Sequence, residues 1–288
     1  MPKHPYDLEF QPKQRRRRDQ LLRFLGGFGV IVLLLGILSF VAVHRDGLLD
    51  DFLGALRPTE ATTEPPADAW TYTGSALFLL CGTDNAKQNL RFCALVRVDA
   101  ARRQVHVFPL SPQGMAPSES GEISLEQALR DGGPKGLKSA VEALTEGTVD
   151  RFIASDDSGF VRAVNLVRDL TKRSVTVQLD EGIDYNDRAG LSLRLAKGDN
   201  PLTGDSLLRY FRYLATLGED GVLAQGELLA RVLETYLTKE LDAQKLETLF
   251  NGLMNILQTD ISVSDFFTRR DLLLAIPANG GFTVDVKE

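Results

Sequence analysis

From Phe24 to Val43 the chain reads FLGGFGVIVLLLGILSFVAV, about 20 consecutive positions without a charged side chain. At ~1.5 Å rise per residue such a helix would be roughly 30 Å long, the thickness of a bilayer's hydrocarbon core. Ahead of it stand Lys3, Lys13, Arg15, Arg16, Arg17, Arg18 and Arg23. Behind it, as far as Trp70, come Asp46, Asp50, Asp51, Glu60, Glu64 and Asp68 against Arg45 and Arg57 alone. Positively charged flanks stay cytoplasmic, so the pattern predicts a single-pass protein of the cell membrane with its N-terminus inside and its C-terminal domain extracytoplasmic. A cleaved signal peptide would have a shorter apolar region and small residues before the cut. A buried core helix would carry cap signals and a polar stripe. Beside such a span, the Arg15 to Arg18 run reads as a topology determinant.

This divides the chain into a basic head (1–23), a transmembrane helix (24–43), a juxtamembrane segment and linker (44–69) and an extracytoplasmic domain (70–288). Leu48, Leu49, Phe52, Leu53 and Leu56 have the spacing of a short juxtamembrane helix. RPTEATTEPPADA, from Arg57 to Ala69, lacks large apolar side chains and reads as a tether. The formal net charge of -6 argues against nucleic acid as a partner, since phosphate backbones need a basic surface. Three histidines and two cysteines are too few for a Cys/His zinc site.

Within the outer domain, SALFLLC (Ser75 to Cys81) is a continuous apolar run ended by Gly82, as in a strand buried on both faces. ALVRVD (Ala94 to Asp99) and QVHVFPL (Gln104 to Leu110) alternate and suggest a hairpin. Ser124 looks like the N-cap of a short helix ending at Gly132-Gly133, and Pro134 opens the next helix. Phe152 to Ser155, Ser174 to Leu179, Leu191 to Leu195 and Phe282 to Val286 are further strand candidates. Phe160 to Leu170 has helical spacing, and helices are expected at Thr203 to Ala215, Val222 to Lys239, Ala243 to Leu257 and Ser264 to Ala275. The fold class this predicts is α/β, with a mixed central sheet covered by helices.

Cys81 and Cys93 flank a loop between two strands expected to be neighbours. Oxidising conditions outside the membrane permit a disulfide there, and two buried free thiols are the alternative. Asp180, Asp184 and Asp187 form an acidic loop that could hold a hard cation or simply be solvated. His106 alternates with its strand neighbours and reads as a surface or packing histidine.

The ordered set of element ends resembles the LytR-CpsA-Psr family of cell-envelope proteins. Leu79-Leu80-Cys81-Gly82-Thr83-Asp84 is similar to the family's leucine-rich strand followed by Gly-Ser/Thr-Asp. Arg91-Phe92-Cys93-Ala94 resembles its Arg-Ser-Asp-Thr segment, and FPLSPQG (Phe108 to Gly114) stands where it has Ser-Ile-Pro-Arg-Asp. Gly132-Gly133-Pro134, Val149-Asp150-Arg151-Phe152 and Gly159-Phe160-Val161 follow its middle segment. GDNPLTGDSLLRYFR (Gly198 to Arg212) looks like its Gly-x-x-x-Leu-x-Gly-x-x-Ala-Leu-x-Tyr-x-Arg, and Gln258 to Ser262 also fits. The resemblance spans about residues 72 to 276.

It implies a membrane-anchored protein that binds a polyprenyl-pyrophosphate-linked glycopolymer and transfers it to a peptidoglycan acceptor. Arg91 and Arg212 would grip the pyrophosphate, Arg91 and Asp84 would serve the transfer, and Asp84 would hold Mg2+. An apolar groove would take the isoprenoid tail. The sequence departs from the family at several charged positions. The family's Asp after its first arginine is Cys93, and its Pro-Arg-Asp is Pro112-Gln113-Gly114. The second arginine of its Tyr-x-Arg-x-Arg is Leu214, and its late Arg-x-x-Arg-Gln is Gly221 to Gln225 with neither arginine. Each lost phosphate contact is worth about 1.5–3 kcal/mol, so a non-catalytic scaffold or regulator of envelope assembly stands as the alternative. The family's older description as transcriptional attenuators meets a cytoplasmic head too short for a DNA-reading module.

Overall fold

The apolar run forms β1 (Ser75–Thr83), near the middle of a six-stranded sheet. The computed structural model describes residues 73–119, 121–188, 190–237, 241–278 and 281–287. The basic head, the expected span, the juxtamembrane segment and the linker lie outside the described residues. Among the described residues, no helix is long and apolar enough to cross a membrane.

β1 pairs antiparallel with β2 (Leu90–Asp99), which pairs antiparallel with β3 (Gln104–Leu110). A small hairpin, β4 (Met115–Ser118) with β5 (Gly121–Ser124), then leads into helix α1 (Leu125–Thr145). Ser124 caps α1 by accepting the Gln127 amide at 3.1 Å. The two helices expected on either side of Gly133 are one element with a break: Gly133 has φ 61° and ψ -159°, directly before Pro134. Proline lacks the amide and crowds the preceding turn, and glycine absorbs the reversal.

Next come β6 (Arg151–Asp156), parallel to β1, and α2 (Asp157–Thr171). Two polar ribbons follow in the order β7 (Val175–Leu179), β8 (Ile183–Asn186), β9 (Ser192–Leu195) and β10 (Gly198–Leu202); β7 pairs with β10 and β8 with β9. Helices α3 (Gly204–Leu214), α4 (Glu219–Leu237), α5 (Ala243–Met254) and α6 (Val263–Ala278) complete the helical part. β11 (Gln258–Thr259) joins the β6 edge, and β12 (Thr283–Val286) runs parallel to β3 on the other edge. The sheet order is β11-β6-β1-β2-β3-β12, so it is mixed, as expected.

Strand alternation sends the two sets of side chains into separate cores. Phe78, Leu80 and Val96 pack under α2 to α6, while Leu79, Cys81 and Leu95 pack under α1 with Leu129, Leu137 and Val141. α1 precedes β6 and α2 follows it on the opposite face. In open α/β sheets ligand crevices form beyond the carboxyl ends of strands at such a change of side.

Candidate functional site

Beyond the carboxyl ends of β1 and β6, four charged side chains gather. Asp84 leaves β1 into a tight loop and organises it: its carboxylate accepts the Gln88 amide at 2.8 Å, the Asn89 amide at 3.2 Å and the Asn89 side chain. Asn85 Oδ1 accepts both the amide and the hydroxyl of Ser158 at 3.0 and 2.9 Å, docking the loop on the first turn of α2. Glu126 and Arg130 of α1 brace the loop from behind through the Leu90 amide and the Gln88 carbonyl.

Arg91 follows in β2. Its Nη2 lies 3.6 Å from Asp157 Oδ2, with the two side chains 30% and 13% exposed. Arg212, in the last turn of α3, and Asp84 are both close enough to Asp157 to act on its charge. No carboxylate among the described residues is within ion-pair distance of Arg212. Three buried polar atoms lack hydrogen-bond partners here: Arg91 Nε, Asp157 Oδ1 and Ser155 Oγ. Buried polar atoms are ordinarily paired; elsewhere among the described residues Arg151 Nε, Arg162 Nε, Arg270 Nε and the Tyr236 hydroxyl are also without partners.

The floor beneath is aromatic. Phe92 stacks on Phe211 with centroids 5.4 Å apart, and Phe160 meets both edge-on at 6.2 and 5.6 Å. Phe92 adjoins Arg91, Phe211 adjoins Arg212, and Phe160 lies one helical turn after Asp157, so packing three rings positions three charges. Gly82 makes room for this: a Cβ there would fall 2.3 Å from the Phe92 ring. Gln225, buried in α4, ties the same parts together by donating to the Arg91 carbonyl at 3.1 Å and the Phe211 carbonyl at 2.8 Å.

The two carboxyls are tuned in opposite directions. Partial burial would push Asp84 up, but hydrogen bonds from Gln88 and Asn89 and the charge of Arg91 outweigh it and hold it below the ordinary value. At Asp157 burial dominates and pushes the carboxyl up, against the pull of Arg91 and Arg212 and with the push of Asp84.

The structure therefore brings Asp84, Arg91 and Arg212 together, and adds Asp157 and Gln225, which the sequence reading left without a role. An Asp-Asp pair at a strand-to-helix turn was the available signal for Asp157. Cys81 and Cys93 are direct cross-strand partners, both buried and both free thiols. Burial pushes the Cys81 thiol up to about 12 and raises Cys93 as well. Opposed residues in an antiparallel pair lie within the Cα range a disulfide spans.

The departures acquire physical reasons. A Cβ at Gly221 would stand 1.9 Å from the Leu214 carbonyl oxygen, so no arginine fits there. Leu214 is itself buried in the core, 5% exposed. The acidic loop serves its own hairpin: Asp184 pairs with Arg194 and Asp187 accepts the Leu191 amide. His106 bonds Asp285 across the β3–β12 edge. Among the described residues no three His, Cys, Asp or Glu side chains gather to hold a metal ion.

Two cavities complete the picture. One of about 340 Å³ lies at the strand ends on the α1 side, lined by Thr83, Lys87, Asp156, Gln258, Leu129 and Pro134 among others. Another of about 680 Å³ is an apolar groove over β1 to β3, walled by Leu77, Leu95, Phe108, Pro109 and Leu110.

Comparison with solved structures supports the fold. A protein from Eubacterium siraeum superposes with a TM-score of 0.61 at 16% identity, covering 80% of this chain and 89% of that one. TagV of B. subtilis gives a TM-score of 0.58 at 13% identity, covering 76% and 86%. TagT bound to LI-WTA gives 0.53 at 17% identity, covering 79% and 81%. No curated protein matches the sequence. The profile of the LytR_cpsA_psr family matches residues 113–280, more than half of the chain, and the protein belongs to that family.

Proposed function

We propose that this protein binds a polyprenyl-pyrophosphate-linked cell-wall glycopolymer and hands it to a peptidoglycan acceptor, outside a membrane in which its N-terminal segment is anchored. The observation that carries this is the convergence of Arg91 and Arg212 over buried, partnerless polar atoms at the strand ends. Guanidinium groups present fixed donor pairs that match phosphate oxygens. Charge building on the departing phosphate would meet those same donors, in a site whose aromatic floor keeps water from one side. The groove over β1 to β3 offers an isoprenoid tail apolar walls on the α1 face of the sheet, and none of Asp84, Arg91, Asp157 or Arg212 lines it.

Mg2+ fits the residues present. It commonly takes one or two carboxylates together with substrate phosphates, and Asp84 and Asp157, whose Oδ1 is buried and unpaired, supply that set. When bound, the ion would neutralise phosphate charge. The test is titration of the full-length protein in detergent micelles with a short-chain polyprenyl pyrophosphate beside Arg212→Ala. The expected loss is about 1.5–3 kcal/mol of binding, roughly tenfold to a hundredfold. Unchanged affinity in Arg212→Ala would remove the site assignment.

The crowding at Gly221 and the burial of Leu214 favour a second reading, a carrier-binding protein that scaffolds envelope assembly without turnover. Carrier binding without transfer to a peptidoglycan fragment would select it.

A further inference from the structure

We propose that the groove between β7, α4 and β12 is a second binding site, which takes a neutral saccharide chain and serves the acceptor side of the transfer. The inference rests on the function proposed above and gives the acceptor a place apart from the charged cluster.

The groove follows from the pattern of α4. Glu227, Arg231 and Glu234 recur at helical spacing as one exposed stripe, while Leu229, Val232 and Leu233 are buried. The stripe lines a cavity of about 460 Å³, walled by Val177 and Gln178 of β7 and by Val284 and Val286 of β12. Tyr210 of α3 lines it too. Small-molecule sites commonly span about 300–1,000 Å³.

The polar groups here are not engaged with one another. Four residues apart on a solvated helix face, Glu227 and Arg231 would ordinarily pair. Instead Arg231 Nη1 reaches the Thr176 carbonyl at 3.4 Å, and Glu227 has no hydrogen-bond partner among the described residues. The Tyr210 hydroxyl and the Gln178 side-chain amide have none either. Arg231 and Glu227 both act on the charge of Tyr210, so the three converge. Burial, followed by Tyr213, raises the Tyr210 pKa and keeps its hydroxyl a protonated donor.

This set is suited to a sugar. The carboxylate accepts, the guanidinium donates, and the phenol and amide do both. Sugar hydroxyls do both as well, and the apolar C–H faces of a sugar ring suit Ala224, Leu228 and the valines between the polar groups. Charge separates this ligand from the carrier. Glu227, Glu234 and Asp285 outnumber Arg231 around the groove, so a phosphate-bearing chain is disfavoured there. The two sites nevertheless share helices. Tyr210 stands two residues before Arg212 on α3, and Glu227 two after Gln225, which holds the Arg91 and Phe211 carbonyls. A saccharide in the groove is thereby anchored on the helices that position the arginines.

The test uses full-length protein in micelles of a sugar-free detergent, with an N-acetylglucosamine tetrasaccharide as the probe. Saturation-transfer NMR and calorimetry read its binding, and the short-chain polyprenyl pyrophosphate is titrated in parallel. Wild type, Glu227→Ala, Arg231→Ala and Arg212→Ala are compared, with thermal melting to establish that each is folded. Wild type is expected to bind the tetrasaccharide. Glu227→Ala and Arg231→Ala should each weaken it about tenfold or more, with pyrophosphate binding unchanged. Arg212→Ala should do the converse. Unchanged saccharide affinity in both groove variants, or its loss in Arg212→Ala, overturns the proposal. So does a wild type that binds the pyrophosphate but not the saccharide, which leaves the carrier-binding reading standing. Groove-dependent saccharide binding without pyrophosphate binding keeps this site and overturns that reading, and binding of neither overturns both.

Discussion

Two acidic regions of this protein make opposite use of the same chemistry. In the β8–β9 hairpin, Asp184 and Arg194 meet at 2.5 Å with 68% and 82% of their side chains exposed. At the strand ends, Asp157 and Arg91 stand 3.6 Å apart, 13% and 30% exposed. The closer pair is well solvated, and exposed ion pairs contribute little because water and salt screen them. The looser pair is partly dehydrated and leaves Asp157 Oδ1 and Arg91 Nε unsatisfied. The first pair is complete in itself, and the second leaves polar atoms on both partners free for a ligand of the kind proposed.

The strongest way to break that contrast is to force a third arginine into the strand-end region. Gly221→Arg would restore a family charge in sequence, but its Cβ would meet the Leu214 carbonyl oxygen at 1.9 Å. Overpacking against a fixed backbone costs about 1–3 kcal/mol and more where nothing can yield. Chemical denaturation should show a loss at or above that range, with no gain in pyrophosphate affinity. A stable variant with tighter binding would mean that the end of α3 moves freely. The two-arginine cradle would then not be fixed by packing.

Next in size is a paired comparison, Arg91→Ala against Arg194→Ala. Removing Arg91 leaves Asp157 half-buried without its counter-charge and should cost about 1–3 kcal/mol in urea unfolding. Removing Arg194 should leave the denaturation midpoint unchanged. Equal effects would erase the distinction between the regions.

How far the sequence announced all this differs between the same regions. β1, β2 and β3 were legible because continuous or alternating apolar runs have one comfortable arrangement, and Ser124 and the Gly133-Pro134 break carried their own backbone signals. Among the ribbons, β7 and β9 were legible as expected strands, whereas β4, β5, β8 and β10 were not: segments such as MAPS, GEIS and GDNPL lack a continuous apolar face, and pair through backbone bonds that composition does not encode. At the site, the resemblance supplied Asp84, Arg91 and Arg212. Asp157 needed the third dimension, because its importance lies in burial beside Arg91 and not in any spacing along the chain. The same holds for Gly221, an ordinary helix-start glycine until the Leu214 carbonyl is placed against it.

The smallest predicted effect sharpens the comparison within the site itself. Asp84 is held below the ordinary carboxylate value, so its contribution to stability is full above its unfolded pKa and is lost as pH falls through the lower folded one. Asp157 is raised, so the folded state holds its proton more tightly than the unfolded chain does. Its ionisation therefore opposes folding: the cost is absent below the unfolded value near 3.8, grows as pH rises towards the folded pKa, and persists at neutral pH. Asparagine mimics the protonated side chain without that cost. Asp157→Asn should therefore melt higher than wild type at pH 7, and the gap should close as pH is lowered below 4. Asp84→Asn should do the reverse, melting lower at pH 7 and converging with wild type in acid. Thermal melts of the three proteins across that range test both signs together. If Asp157→Asn melts below wild type at neutral pH, Asp157 is a stabilising partner of Arg91. The strand-end carboxylate would then have an ordinary structural explanation.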